Sequence, residues 1–269
     1  MTKPVRPPAH PLTSAPIGRM GAADRIIEDL RDRIARGEIP RGARLPSARD
    51  VAEQYGVSAP TASEAIRGLA AMGLVEIRHG SGSYVTADAG SMVTIALATA
   101  LQIEGVSIAE IIGLMALINE RAAALAAERA EPQDIDRIAA AEDDIMNGSS
   151  AAAILDAVER FLVGLTTAAH EPILSLIGTF LARMLTRLET DIFPADDGFW
   201  RDMTSRLHDE RQQIVRALRR SNAGQAQRAV RRYHELAVGR LRDEPVGQEA
   251  RLSDPRFART VSQLIAQQP

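Results

Sequence analysis

The chain has 269 residues, 45% of them hydrophobic, which is enough to bury a core and excludes wholesale disorder. Aromatics make up only 3%, so a core of Ala, Leu, Ile and Val is expected to be mainly helical. There is no cysteine, which excludes a disulfide framework, a thiolate metal site and a cysteine nucleophile, and fits a reducing cytoplasm. The net charge of −3 hides an asymmetry: residues 1–86 carry 12 Lys+Arg against 9 Asp+Glu, and the remainder 20 against 26. A mildly basic module thus precedes an acidic one, and only the first tolerates a polyanion.

Residues 1–19 read as a flexible tail without the apolar centre of a signal peptide. From Ala22 a helix carries Ile26, Ile27, Leu30 and Ile34 at helical spacing, and Gly37 stops it. Ser47, with Asp50 three residues on, caps a short helix that ends near Gly56. Ser58 caps the next, which carries Ala62, Ala65, Ile66 and Leu69 and ends at Gly73. Two β-prone runs follow, residues 74–78 and 83–86, joined by a turn at His79 and Gly80. The small residues 87–91 read as a linker.

Beyond the linker the pattern predicts only helices: one capped by Ser107 and running to Arg129, then about 132–146, 151–170, 172–191, 198–221 and 223–242, with a last candidate over 255–267. No apolar run reaches the ~20 residues of a membrane helix; residues 92–103 are too few. The expected protein is therefore soluble, cytoplasmic and without a membrane partner. Its expected architecture is mostly α: a winged helix-turn-helix over 20–86 with a two-stranded β wing, a helical bundle of six or seven helices over 92–245, and an extension over 246–269.

Two short helices joined by a tight turn and followed by a hairpin suit DNA binding, with the second helix entering the major groove by its N-terminal end. That end presents Ser58, Thr61 and Ser63 to phosphates or base edges. Ser47, Arg44 and Arg49 flank it, Arg67 lies one turn beyond Ser63, and His79 and Gly80 form the wing tip. On these residues alone, a solvated helix pair is an equal reading.

The runs RGARLPSARDVA from Arg41, YGVS from Tyr55, EAIRGL from Glu64, MGLV from Met72 and GSGSYV from Gly80 resemble the GntR family of bacterial transcription regulators, in order and at the family's spacing. The resemblance implies a winged helix-turn-helix, with Arg49 at a DNA-contacting position and a pseudo-palindromic operator bound by a homodimer. The family usually has arginines where Ala59 and Ser63 stand, which shifts the contacts toward Arg44, Arg49, Arg67 and the wing.

The all-helical second half resembles the FadR-like group, whose domain is called FCD, on the run AAALAAERA from Ala122, on Phe161 with Pro172, and on Ala217, Ala226 and Ala229. That resemblance implies a domain that binds a small-molecule effector. Many members hold a metal through one Asp and three His; here those positions fall on Val158, Leu162, Arg211 and Tyr233, so no metal or other cofactor is expected. None of the five histidines, His10, His79, His170, His208 and His234, falls on them. The group's pocket pattern instead points to Asn119, Leu162, Arg211 and Tyr233 as effector contacts. A guanidinium at a former metal position suggests an organic anion, since it offers forked donors to a carboxylate.

The expected function is an effector-responsive, DNA-binding regulator, a repressor by preference. The alternatives are a constitutive dimeric DNA-binding protein whose bundle only dimerises, and an enzyme with a DNA-binding appendage. Against the enzyme stands the lack of a phosphate loop, a nucleophile elbow or a metal motif. The sole lysine, Lys3, lies in the tail, which excludes a Schiff-base enzyme.

Overall fold

A computed structural model describes residues 21–78, 80–86, 89–193, 196–243 and 250–257. The chain divides into two compact units at Asp88.

The first unit contains α1 (Ala22–Ala35), α2 (Ala48–Tyr55), α3 (Ala59–Ala71), β1 (Val75–Arg78) and β2 (Gly82–Val85). The capping box at Ser47 forms as expected: Asp50 N–H donates to Ser47 Oγ at 3.2 Å, and Ser47 N–H donates to the Asp50 carboxylate at 3.1 Å. Ser58 Oγ accepts from Thr61 N–H at 3.3 Å at the start of α3. Ile26, Leu30 and Ile34 of α1 bury against Ala62, Ala65, Ile66 and Leu69 of α3, with Val75 and Val85 closing the core from the hairpin. The strands pair antiparallel, Val75 opposite Val85 and Arg78 opposite Gly82.

A contact that the sequence did not suggest joins the wing to the loop before α2. Leu45 N–H donates to Ser83 O and Val85 N–H to Ala43 O, both at 2.8 Å, so residues 43–45 lie along the outer edge of β2. This pairing covers a strand edge and fixes the wing to the helix pair.

The second unit holds, among the described residues, eight α-helices: α4 (Ala89–Ile103), α5 (Ile108–Arg129), α6 (Pro132–Asn147), α7 (Ala151–Thr167), α8 (Pro172–Ile192), α9 (Asp197–Ser205), α10 (His208–Arg219) and α11 (Ala223–Asp243). Three expectations are corrected here. Helix α4 begins at Ala89, inside the expected linker, and runs through Gly90 into the apolar stretch. The helix expected over 198–221 is two helices that break at Arg206 and Leu207. Part of the supposed extension belongs to the bundle: Ala250, Leu252 and Phe257 are buried in its core, and residues 250–252 pair with 106–108 through Ile108 N–H to Ala250 O at 3.0 Å and Leu252 N–H to Val106 O at 2.9 Å. Pro255–Phe257 form a single 3-10 turn, and the rest of the helix expected over 255–267 lies outside the described residues.

No helix among the described residues is long and apolar enough to cross a membrane.

Candidate DNA-binding surface and effector cavity

In the winged unit, Arg44, Arg49 and Arg67 are exposed, and none forms an ion pair among the described residues. Arg49 stands in the first turn of α2, and Ser63 and Arg67 are one turn apart on α3. Arg44 lies against the wing: a Cβ on Gly82 would stand 2.7 Å from Arg44 Nε, and Gly82 holds φ +109°. The left-handed backbone at Gly82 therefore favours glycine, with the Arg44 guanidinium packed over it.

The hydroxyls serve the fold before they can serve DNA. Ser47 Oγ donates to the Asp50 carboxylate at 2.7 Å and keeps no hydrogen for a phosphate. Ser47 is thus a cap rather than a phosphate donor. Ser58 Oγ and Thr61 Oγ1 share a bond of 2.8 Å, which leaves one free hydrogen between them. Gly80 is exposed at the wing turn with φ +76°; His79 lies outside the described residues. Glu64 is exposed on the outer side of α3 and disfavours phosphate locally. These three exposed arginines stand on α2, α3 and the loop beside the wing.

In the bundle, Arg211 is completely buried, the largest such side chain among the described residues. Its Nε donates to the carboxylate of Glu142, which is also fully buried, and its Nη2 donates to Thr204 O at 3.0 Å. The Thr204 carbonyl, at the C-terminal end of α9, also accepts from Leu207 N–H at 3.1 Å. Arg211 thus adds a side-chain hydrogen bond to a carbonyl at the break between α9 and α10. His208 Nδ1 shares the other Glu142 oxygen at 2.6 Å. Arg211 Nη1, although buried, has no hydrogen-bond partner.

This overturns the premise that Arg211 awaits an external anion. Glu142 supplies the carboxylate from 69 residues away, and it neutralises the guanidinium inside the bundle. Glu142 had a signature in the sequence: it stands with Ile138, Ala141 and Ile145 on the buried stripe of α6. A carboxylate on an apolar stripe signals a buried partner.

Arg211 also lines a cavity of about 60 Å³ between α5, α7, α8, α9, α10 and α11. Its wall is mainly apolar, formed by residues such as Ile108, Ile112, Val158, Leu185, Phe193 and Trp200. Phe193, Phe199 and Trp200 pack as a cluster with ring centroids 5.5–5.7 Å apart. Tyr233 enters from α11, and burial pushes its hydroxyl up to about 12 despite the nearby Arg211 charge, so it stays protonated and can donate. Glu189 enters from α8, with no ion pair or side-chain hydrogen bond among the described residues, and burial pushes its carboxyl up to about 7. The sequence reading missed Glu189, which follows Leu181, Leu185 and Leu188 along the buried side of α8.

Of the expected effector contacts, Arg211 and Tyr233 meet at this cavity, with Val158 beside them. Asn119 and Leu162 do not line it. Asn119 is fully buried and shares a 3.1 Å hydrogen bond with His234 Nε2, while its Oδ1 has no partner. Leu162 packs in the core of α7. Burial pushes His234 down to about 4, so it is neutral at physiological pH.

The positions that hold a metal in many FadR-like proteins do not fit one here. They present two aliphatic side chains, a phenol and a guanidinium already paired with Glu142. His208 bonds Glu142 and His234 bonds Asn119; among the described residues no group of three His, Cys, Asp or Glu could hold an ion.

Comparison with known proteins agrees with this division. Residues 22–85 match the model of the bacterial regulatory proteins of the gntR family, and residues 110–236 match the FCD domain model. The chain belongs to the GntR family, in its FadR-like, FCD-bearing group. It is 33% identical over 140 residues to the uncharacterized HTH-type transcriptional regulator Rv0494 of Mycobacterium tuberculosis, a match that spans 51% of this chain and 57% of that protein. It is 28% identical to the HTH-type transcriptional regulator LutR of Bacillus subtilis over 73% of this chain and 90% of LutR. A solved GntR structure from Streptococcus agalactiae shares the fold, with TM-score 0.63 and 20% identity, over 81% of this chain and 99% of that one. The winged helix-turn-helix followed by a helical effector domain is thus the family arrangement.

Proposed function

We propose that this GntR-family chain is a homodimeric, cytoplasmic regulator that binds a pseudo-palindromic operator and changes its operator affinity when a small molecule enters the bundle cavity. The observation that carries this reading is that cavity: a mainly apolar space walled by Phe193 and Trp200, with Glu189, Arg211 and Tyr233 among its lining. A bundle whose only task was dimerisation would gain nothing from ionisable groups gathered round a void.

Two symmetric copies are needed because one winged unit reads only a few base pairs. The side chains of Leu114 and Leu117 on α5 and Ile173 on α8 are 47%, 67% and 70% exposed, which supports burial against a second copy. DNA contacts fall to Arg44, Arg49 and Arg67, with Ser58, Thr61, Ser63 and the wing beside them. The bundle works without a bound metal, and the chain regulates rather than catalyses.

The test combines a thermal-shift screen of metabolites with fluorescence anisotropy on DNA from upstream of the protein's own gene. A compound that raises the unfolding midpoint should also change operator affinity. If no compound does both, or if the chain is monomeric and ignores this DNA, the reading is wrong.

A further inference from the structure

The negative charge of the bundle is unevenly spread. Residues 87–269 carry 20 Lys+Arg against 26 Asp+Glu, and several exposed arginines sit on carboxylates: Arg160 on Asp144 and Asp156, Arg206 on Asp202, Arg231 on Glu120. The packed pair α10 and α11 departs from this pattern. An open groove of about 410 Å³ between them is lined by Arg216 and Arg220, four residues apart at the end of α10, and by Arg228 and Arg232, four apart on α11. Among the described residues no carboxylate lines it. Arg216, Arg220 and Arg228 form no ion pair among those residues, and Arg232 reaches Glu235 only at 3.8 Å.

The helix dipole favours cations at the end of α10, but not Arg228 and Arg232, which stand in the N-terminal half of α11. Like charges one turn apart on a helix repel, so two such pairs around one groove weaken the free bundle and suit an anion. We propose that this groove binds a small metabolite carrying two phosphate groups, one on each arginine pair. Two phosphates bring about −3 to −4 near neutral pH, a match for four guanidiniums. The guanidinium fork fits phosphate oxygens, and the exposed amides of Gln213 and Gln225 line the same groove and can bond ligand hydroxyls. The volume falls within the ~300–1,000 Å³ of small-molecule sites. A B-form duplex, whose major groove alone is ~12 Å wide, does not enter between neighbouring helices with axes ~8–10 Å apart. The groove shares no lining residue with the bundle cavity, so this site is independent of the effector reading.

The experiment is calorimetry on the full chain at physiological salt, comparing fructose 1,6-bisphosphate and ADP with fructose 6-phosphate and AMP. At least one doubly phosphorylated compound should bind, at least tenfold more tightly than its monophosphate. Arg216→Gln with Arg228→Gln should lose at least tenfold, and so should Arg220→Gln with Arg232→Gln; all four positions are exposed, and circular dichroism checks that each variant is folded. Arg160→Gln with Arg206→Gln removes the same net charge from outside the groove and should leave binding unchanged. The proposal is overturned if neither compound binds, if the monophosphates bind as tightly, if the groove variants bind normally, or if the control pair loses as much as they do. Groove variants that weaken only DNA binding would make this surface a contact for the DNA backbone, which also overturns it.

Discussion

Removing the Glu142 carboxylate should be among the most damaging single changes to the bundle. In Glu142→Gln the Arg211 guanidinium stays fully buried, keeps Thr204 O at 3.0 Å, and loses its counter-ion. Breaking a buried ion pair by removing one partner costs roughly 3–5 kcal/mol, because an uncompensated charge remains in the interior. For a unit of this size that corresponds to a fall of about 6–20 °C in melting temperature. Replacing both partners with apolar residues of similar volume, Glu142→Leu with Arg211→Met, should recover most of the loss, since the desolvation cost of both ions disappears. Urea unfolding followed by tryptophan fluorescence suits the question, because Trp200 is the sole tryptophan and is buried in this unit. A Glu142→Gln loss below about 1 kcal/mol, or a double variant no more stable than the single one, would refute the reasoning.

Arg49→Ala should weaken operator binding by about 1–3 kcal/mol in anisotropy titrations and reduce the salt dependence; normal binding would remove Arg49 from the interface. Gly82→Ala should destabilise the winged unit by about 1–3 kcal/mol in thermal melts followed by circular dichroism, since φ is +109°. Stability should depend on pH through two opposed groups. His234, at about 4 when folded against an ordinary 6.5, contributes stability that is complete above pH 6.5 and is lost as pH falls toward 4. Glu189, at about 7 against 4.5, contributes stability below pH 4.5 that is lost as pH rises through 7. Glu189→Gln should therefore be more stable than wild type at pH 8, by at most ~3 kcal/mol, and should show a steeper acid limb in urea midpoints taken across pH 4–8. Elemental analysis of protein purified without a histidine tag should find less than one transition-metal ion per chain.

The winged unit was largely legible because its signals are local. Ser47 with Asp50, Ser58, and the apolar spacing of α1 and α3 are each written within a few residues. What escaped was the pairing of residues 43–45 with β2, too brief to show an alternating pattern. In the bundle, helix existence was legible and the break at Arg206 was not, because neither Gly nor Pro marks it; Thr204 O there accepts from Leu207 N–H and from Arg211 of the next helix. The candidate site was half legible. Arg211 and Tyr233 were found by position, but their meaning depends on Glu142, Glu189 and the α9 terminus, which only folding brings together. Asn119 is buried and polar and bonds His234, a partner 115 residues away that the sequence did not suggest.

Operator anisotropy with and without the compound that most raises the unfolding midpoint, at one fixed salt concentration, tests the coupling of cavity to DNA most directly. Saturating ligand should change wild-type operator affinity at least ~5-fold. An operator affinity that stays constant while calorimetry shows the cavity filled would contradict the account.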